Sequence, residues 1–84
     1  MSARVKIRTF VLQNFLFTDD QSQLADEDSF VGRELIDSTG ILEVITFLED
    51  EFGIEVQESE MILENLDSVD RIVGYLKRKG ALDS

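Results

Sequence analysis

Asp37 and Ser38 stand directly ahead of a run from Ile41 to Phe52 whose charged positions are all acidic: Glu43, Glu49, Asp50 and Glu51. A serine hydroxyl at a helix start has several uses. It can accept a bond from one of the unpaired backbone N–H groups of the first turn, acting as a cap. Where a neighbour such as Asp37 does the capping, the hydroxyl is released to point outward at the first helical position. There it can carry a covalently attached group, or a phosphate added by a kinase, beside the acidic helix. Taken alone, the Asp-Ser pair favours the plain cap. The remaining serines lie in the termini or in loops.

The chain has no histidine and no cysteine. That removes the commonest general base, the commonest metal ligand and the most reactive nucleophile together. A Ser/His/Asp arrangement is impossible, and a hydrolase built on carboxylates alone needs a cleft that so small a domain rarely encloses. No catalytic residue and no metal site is expected; this is a protein that other enzymes act upon. Asp26-Glu27-Asp28 invites a calcium reading, but Phe30 stands at a ligand position of an EF-hand and Val31 at its glycine position.

The net charge is −10, and its distribution is informative. The basic residues fall in three places: Arg4, Lys6 and Arg8; Arg33; and Arg71 with Lys77, Arg78 and Lys79. From Glu34 to Asp70 there are twelve acids and no Lys or Arg. Nucleic acid is disfavoured as a partner, since neutralising phosphates needs clustered cations. A basic patch on a partner protein is the natural complement. No stretch is long and apolar enough to span a bilayer, and Met1-Ser2-Ala3-Arg4 does not open a signal peptide. A cytoplasmic location, no membrane insertion and a monomer are expected.

At 84 residues, with 43 % of them apolar and no proline, the chain fits one small helical domain, 1–84. Helices are predicted over about 4–17, 38–52, 59–66 and 68–79. The first is apolar nearly all round, with two competing stripes: Val5, Leu12 and Leu16, or Ile7, Phe10, Val11 and Phe15. A long loop follows, pinned by Leu24 and then by Phe30-Val31 and Leu35-Ile36. In the second helix Ile41, Ile45, Leu48 and Phe52 recur at i, i+4, i+7 and i+11, and Gly53 ends it. The short third helix, with Met61, Ile62, Leu63 and Leu66, reads as a lid. The last opens at Asp67 or Ser68, buries Val69, Ile72, Val73 and Leu76, and ends in cations that suit the helix dipole. Phe30, Ile45, Leu48, Phe52, Val56, Ile62 and Ile72 are expected to converge in the core near the foot of Ser38.

Three blocks carry a family resemblance: Ser29-Phe30-Val31, then Leu35-Ile36-Asp37-Ser38, then Glu43-Val44-Ile45 through Leu48-Glu49-Asp50-Glu51-Phe52-Gly53-Ile54. With the order and spacing of elements from Leu12 to Leu76, the chain resembles the acyl carrier protein family, including its peptidyl and D-alanyl branches. The resemblance implies an all-α bundle of three main helices, one short helix and a long first loop. It implies that Ser38, supported by Asp37, carries 4′-phosphopantetheine, added from coenzyme A by a phosphopantetheinyl transferase. The arm would hold acyl or aminoacyl groups as thioesters for an adenylating ligase and other acyl-transfer enzymes, in fatty-acid or secondary-metabolite biosynthesis. The implied docking face is Thr39, Leu42, Glu43, Thr46, Glu49 and Asp50. The family commonly has leucine after the serine, where this chain has Thr39 followed by Gly40. The Asp-Ser-Thr-Gly form looks more like freestanding carriers that serve ligases. The competing reading is an acidic interaction module in which Ser38 is only a cap or a phosphorylation site; Ser38 deep in the core would favour it.

Overall fold

The computed structural model describes residues 2–82, so Met1, Asp83 and Ser84, part of the expected domain, lie outside it. Four α-helices carry the fold: α1, Ala3–Val11; α2, Ser38–Phe52; α3, Leu63–Leu66; and α4, Val69–Arg78. There is no β-strand among the described residues.

The first helix changes pitch where its two stripes collide. α1 stops at Val11, and Leu12–Leu16 continues as a π-helical turn. The buried set is Ile7 and Val11, one α-helical turn apart, with Leu12 at the start of the wider turn, drawn from both predicted stripes. Val5 is 44 % exposed, while Phe10, Phe15 and Leu16 are partly buried. Phe17 ends the turn in the left-handed region, φ 54° and ψ 44°, and is 84 % exposed.

The long loop is held by polar bonds as well as apolar anchors. Arg8 donates to the side chain and carbonyl of Gln21, the carbonyl of Leu24 and the carboxylate of Asp26. Arg4 links Asp26 to Asp70 at the start of α4. Asp28 accepts from the Ala25 N–H and pairs with Arg33. Leu24, Phe30 and Ile36 are buried, but Val31 is 40 % exposed.

The predicted lid is not one. The 59–66 segment is a 3-10 turn, Glu58–Glu60, then a break, then the single-turn α3. Gln57 and Glu60 close a reciprocal capping box, and Met61 leaves helical geometry at ψ 60°. As a result Met61, Ile62 and Leu63 are 42 %, 46 % and 52 % exposed, and only Leu66 enters the core. Ile62 therefore does not join the expected core set. Phe30, Ile45, Leu48, Val56 and Ile72 do, whereas Phe52 is only partly buried. The turn is tied to α4 through one oxygen. Glu60 Oε1 accepts from the Gln57 N–H at 2.9 Å, the Tyr75 hydroxyl at 3.0 Å and Lys79 Nζ at 3.0 Å.

α4 follows its pattern. Ser68 caps it by accepting from the Arg71 N–H, and Val69, Ile72, Val73, Tyr75 and Leu76 are buried. α1 and α2 run antiparallel, since Phe15 lies by Gly40 at one end and Lys6 pairs with Glu51, at 3.0 Å, at the other.

Candidate functional site

The loop reaches Ser38 through a fixed corner. The Phe30 N–H donates to the Asp67 carbonyl at 2.7 Å, and the Phe30 carbonyl accepts from Leu35 and Ile36. Asp67 also takes the Val31 N–H and the Ser29 hydroxyl on its carboxylate. Because Phe30 and Ile36 are buried, the chain leaves this corner in a set direction and enters α2 at Asp37.

Asp37, not Ser38, is the cap. Its backbone is extended, φ −86° and ψ −179°, and its Oδ1 accepts the Gly40 N–H at 2.7 Å. Its carbonyl accepts the Ile41 N–H at 3.0 Å. Ser38 is the first helical residue and is exposed, and its hydroxyl has no hydrogen-bond partner among the described residues. No acid occupies the first turn of α2, so the Asp37 carboxylate at the cap is the acid nearest the positive end of the helix dipole. The N–H groups of Ser38 and Thr39, lying ahead of the first intrahelical bond, face outward without an intrahelical acceptor.

Gly40 fits this turn for a steric reason. A Cβ there would come within 2.6 Å of Ile36 Cγ2 and 2.8 Å of Phe15 Cε1. The loop, the end of the first helix and the start of α2 therefore meet directly under Ser38, and only glycine leaves room for them.

Five of the six expected docking residues line one groove between α1 and α2. Thr39, Leu42, Glu43, Thr46 and Asp50 form its wall, with Glu51 beyond them, and Phe10 and Phe47 form its floor. The groove holds about 530 Å³. The floor rings are stacked, 4.2 Å between centroids and 10° between planes. Phe15 meets Phe10 edge-on and Phe52 meets Phe47 edge-on, which makes a row of four aromatic rings. Glu49 is elsewhere: one residue from Asp50 is about 100° around the helix, and its Oε2 accepts the Val56 N–H at 3.0 Å. It closes the link after α2 instead of facing the groove. Phe10 and Phe47 are the residues that sequence reasoning missed. The available signal was that Phe47 and Leu42 lie off the Ile41–Ile45–Leu48–Phe52 stripe.

No protein-family model matches the chain. It is 40 % identical over 62 residues to the D-alanyl carrier protein of Streptococcus uberis, covering 74 % of this chain and 77 % of that protein. It is 35 % identical over 69 residues to the D-alanyl carrier protein of Streptococcus gordonii, covering 82 % and 86 %. The D-alanyl carrier protein of Streptococcus pyogenes serotype M5 is 40 % identical over 58 residues, covering 69 % and 72 %. With identity of this order over most of both chains, and a helical bundle that agrees with it, the chain belongs to the acyl-carrier-type family of the D-alanyl carrier proteins and is a carrier protein.

Proposed function

We propose that Ser38 is the attachment point of a 4′-phosphopantetheine arm, transferred from coenzyme A by a phosphopantetheinyl transferase. The observation that carries this reading is the division of labour at the start of α2: Asp37 caps the helix, and Ser38 is left exposed with an unbonded hydroxyl. The residues suit a phosphodiester there. Two outward backbone N–H groups and the positive end of the dipole favour an anion by about 0.3–1 kcal/mol at an exposed site. When bound, the arm supplies the thiol that this cysteine-free chain lacks and holds the cargo as a thioester.

The names of the relatives point to an aminoacyl cargo, D-alanine or a similar small amino acid, loaded by an adenylating ligase. The groove wall of Leu42, Glu43 and Asp50 is the face such enzymes approach with a basic patch, in the cytoplasm, the carrier acting as a monomer. The carrier itself performs no chemical step. Among the described residues no helix is long and apolar enough to cross a membrane.

Intact-mass analysis tests the assignment. Wild type incubated with coenzyme A and a promiscuous transferase should gain the mass of one phosphopantetheine, and Ser38→Ala should gain none. Modification that persists in the variant, or a wild type that reacts with no transferase, would overturn it.

A further inference from the structure

In a chain with a net charge of −10, every cation has acids to choose from, yet three stay without one. Arg4, Lys6, Arg8, Arg33 and Lys79 form ion pairs. Arg71, Lys77 and Arg78 form none among the described residues, and all three are exposed on the outer face of α4. We infer that this face seats one acidic helix of a partner protein, with aspartate or glutamate along the cations and an apolar ridge beside them. The surface lies beyond the attachment reading, shares no residue with the groove on α2, and does not require the arm.

The helix dipole explains only part of the set. Lys77 and Arg78 lie in the last turn of α4, where cations suit the negative end, but Arg71 is its third residue, at the end that disfavours a cation. The one acid of α4, Asp70, is already held by Arg4. Arg71, Gly74 and Arg78 recur at i, i+3 and i+7, so a strip about 10 Å long carries a cation at each end and no side chain between. Glycine inside a helix weakens it relative to alanine, and packing does not ask for it here. Among the described residues, a Cβ on Gly74 would meet only Arg78 Nη1, at 3.6 Å. The bare turn is a notch into which the ridge of a second helix can pack closely. The apolar part of the seat adjoins it. Arg78 donates to Asn65 Oδ1 at 2.6 Å, and the Asn65 N–H is bonded to the Ile62 carbonyl, which ties the strip to the exposed run Met61-Ile62-Leu63. Three consecutive exposed apolar residues beside uncompensated cations complement a helix that is acidic on one flank and apolar on the other. An anionic bilayer fits less well, since a plane would also press on the exposed Glu58 and Glu64 that border the run. A second copy would bring a charge of −10 to a molecule that already carries it.

The test uses the full-length protein, labelled with nitrogen-15, at about 0.15 M salt, where a screening length of about 8 Å lets local cations outweigh distant acids. Two synthetic peptides share one composition of leucine and glutamate. One places its leucines on a single helical face; the other is scrambled so that no face exists. The amphipathic peptide should bind roughly tenfold more tightly than the scrambled one, weaken as salt rises further, and shift the amide signals of Leu63, Arg71, Gly74 and Arg78. Arg71→Glu combined with Lys77→Glu reverses two exposed, unpaired charges, and should weaken the peptide roughly tenfold or more with helical circular dichroism unchanged. Gly74→Gln fills the notch with a better helix former, so it should raise the melting temperature and yet weaken the peptide several-fold. Ser38→Ala should bind it like wild type, which separates this outcome from that of the attachment test. Equal binding of the two peptides would overturn the inference, as would shifts confined to Phe10, Leu42 and Phe47 or indifference to the two charge reversals. So would shifts on this face that arise from rising protein concentration alone, or anionic lipid vesicles that bind through it more tightly than the peptide does.

Discussion

The Phe15 ring occupies the space that a side chain at residue 40 would need, with Cε1 only 2.8 Å from the position of a Cβ on Gly40. Ile36 crowds the same point from the loop side. The glycine in Asp-Ser-Thr-Gly thus reports a steric condition beneath Ser38. Gly40→Ala should gain about 1 kcal/mol of helix propensity but suffer overpacking of about 1–3 kcal/mol. A net fall in melting temperature is expected, and Phe15→Leu in the same background should recover part of it. A melting temperature unchanged or raised by Gly40→Ala alone would mean that the ring moves aside freely.

The two aromatic residues expected to share the core are not equivalent. Phe30 is fully buried, and Phe30→Ala should cost about 3–5 kcal/mol, enough to leave so small a domain mostly unfolded. Phe52 is partly exposed and packs edge-on against Phe47. Phe52→Ala should cost clearly less. Urea denaturation of the two variants checks the order.

Glu49 separates from its acidic neighbours. Glu43→Lys and Asp50→Lys should each leave stability within about 0.5 kcal/mol, because neither side chain has a structural partner among the described residues. Glu49→Ala removes the acceptor of the Val56 N–H and should cost about 1 kcal/mol. Loading by a ligase or transferase at low salt should slow in the Glu43 and Asp50 variants. It should stay near wild type in folded Glu49→Ala.

Arg8 is the pin of the long loop, with four acceptors drawn from Gln21, Leu24 and Asp26. Arg8→Ala should cost about 1.5–3 kcal/mol, the range for hydrogen bonds to a charged group. Arg8→Lys should recover only part of this, since an ammonium cannot reproduce the planar fork. Amide exchange should rise across 20–28 before it rises in α2.

Stability should fall at both ends of the pH scale for reasons that meet at one contact. The Gln57 N–H, then Lys79, hold the Glu60 carboxyl below its ordinary range, so its contribution is present at neutral pH and is lost as pH falls through the folded value. Burial, then the bond to Glu60, pushes the Tyr75 hydroxyl up to about 12. That contribution is intact below the unfolded value near 10 and is lost as pH rises toward about 12. Glu60→Gln should flatten the acid limb, and Tyr75→Phe the alkaline limb. Chemical denaturation across pH reads both.

Where one periodic pattern met one set of stop signals, the sequence was sufficient. α2 ends at Gly53 with φ 65°, and α4 runs from its Ser68 cap to a glycine at φ 74°, as spacing and capping chemistry require. It was insufficient where two local patterns competed or where burial depended on a distant partner. The π-helical turn at Leu12–Leu16 breaks the 3.6-residue period, so neither stripe of the first helix could be chosen from pattern alone. Met61, Ile62 and Leu63 are apolar, yet the Gln57–Glu60 capping box turns them outward, and no count of apolar residues reveals that. The release of the Ser38 hydroxyl from capping was legible as a possibility, because Asp37 offered a second cap beside it. The aromatic floor was not, because Phe10 and Phe47 meet only when α1 and α2 pack together.

The clasp between Glu60 and Tyr75 also gives the protein a spectroscopic identity. The chain has one tyrosine and no tryptophan, so its ultraviolet emission is dominated by a single ring. A carboxylate that accepts the phenolic proton's hydrogen bond quenches tyrosine emission, and the Tyr75 hydroxyl donates such a bond to Glu60 at 3.0 Å while the Glu58–Glu60 turn sits against α4. Emission should therefore brighten when that turn lifts away, even with every helix intact. A fluorimeter and unlabelled protein are enough to watch this one seam open.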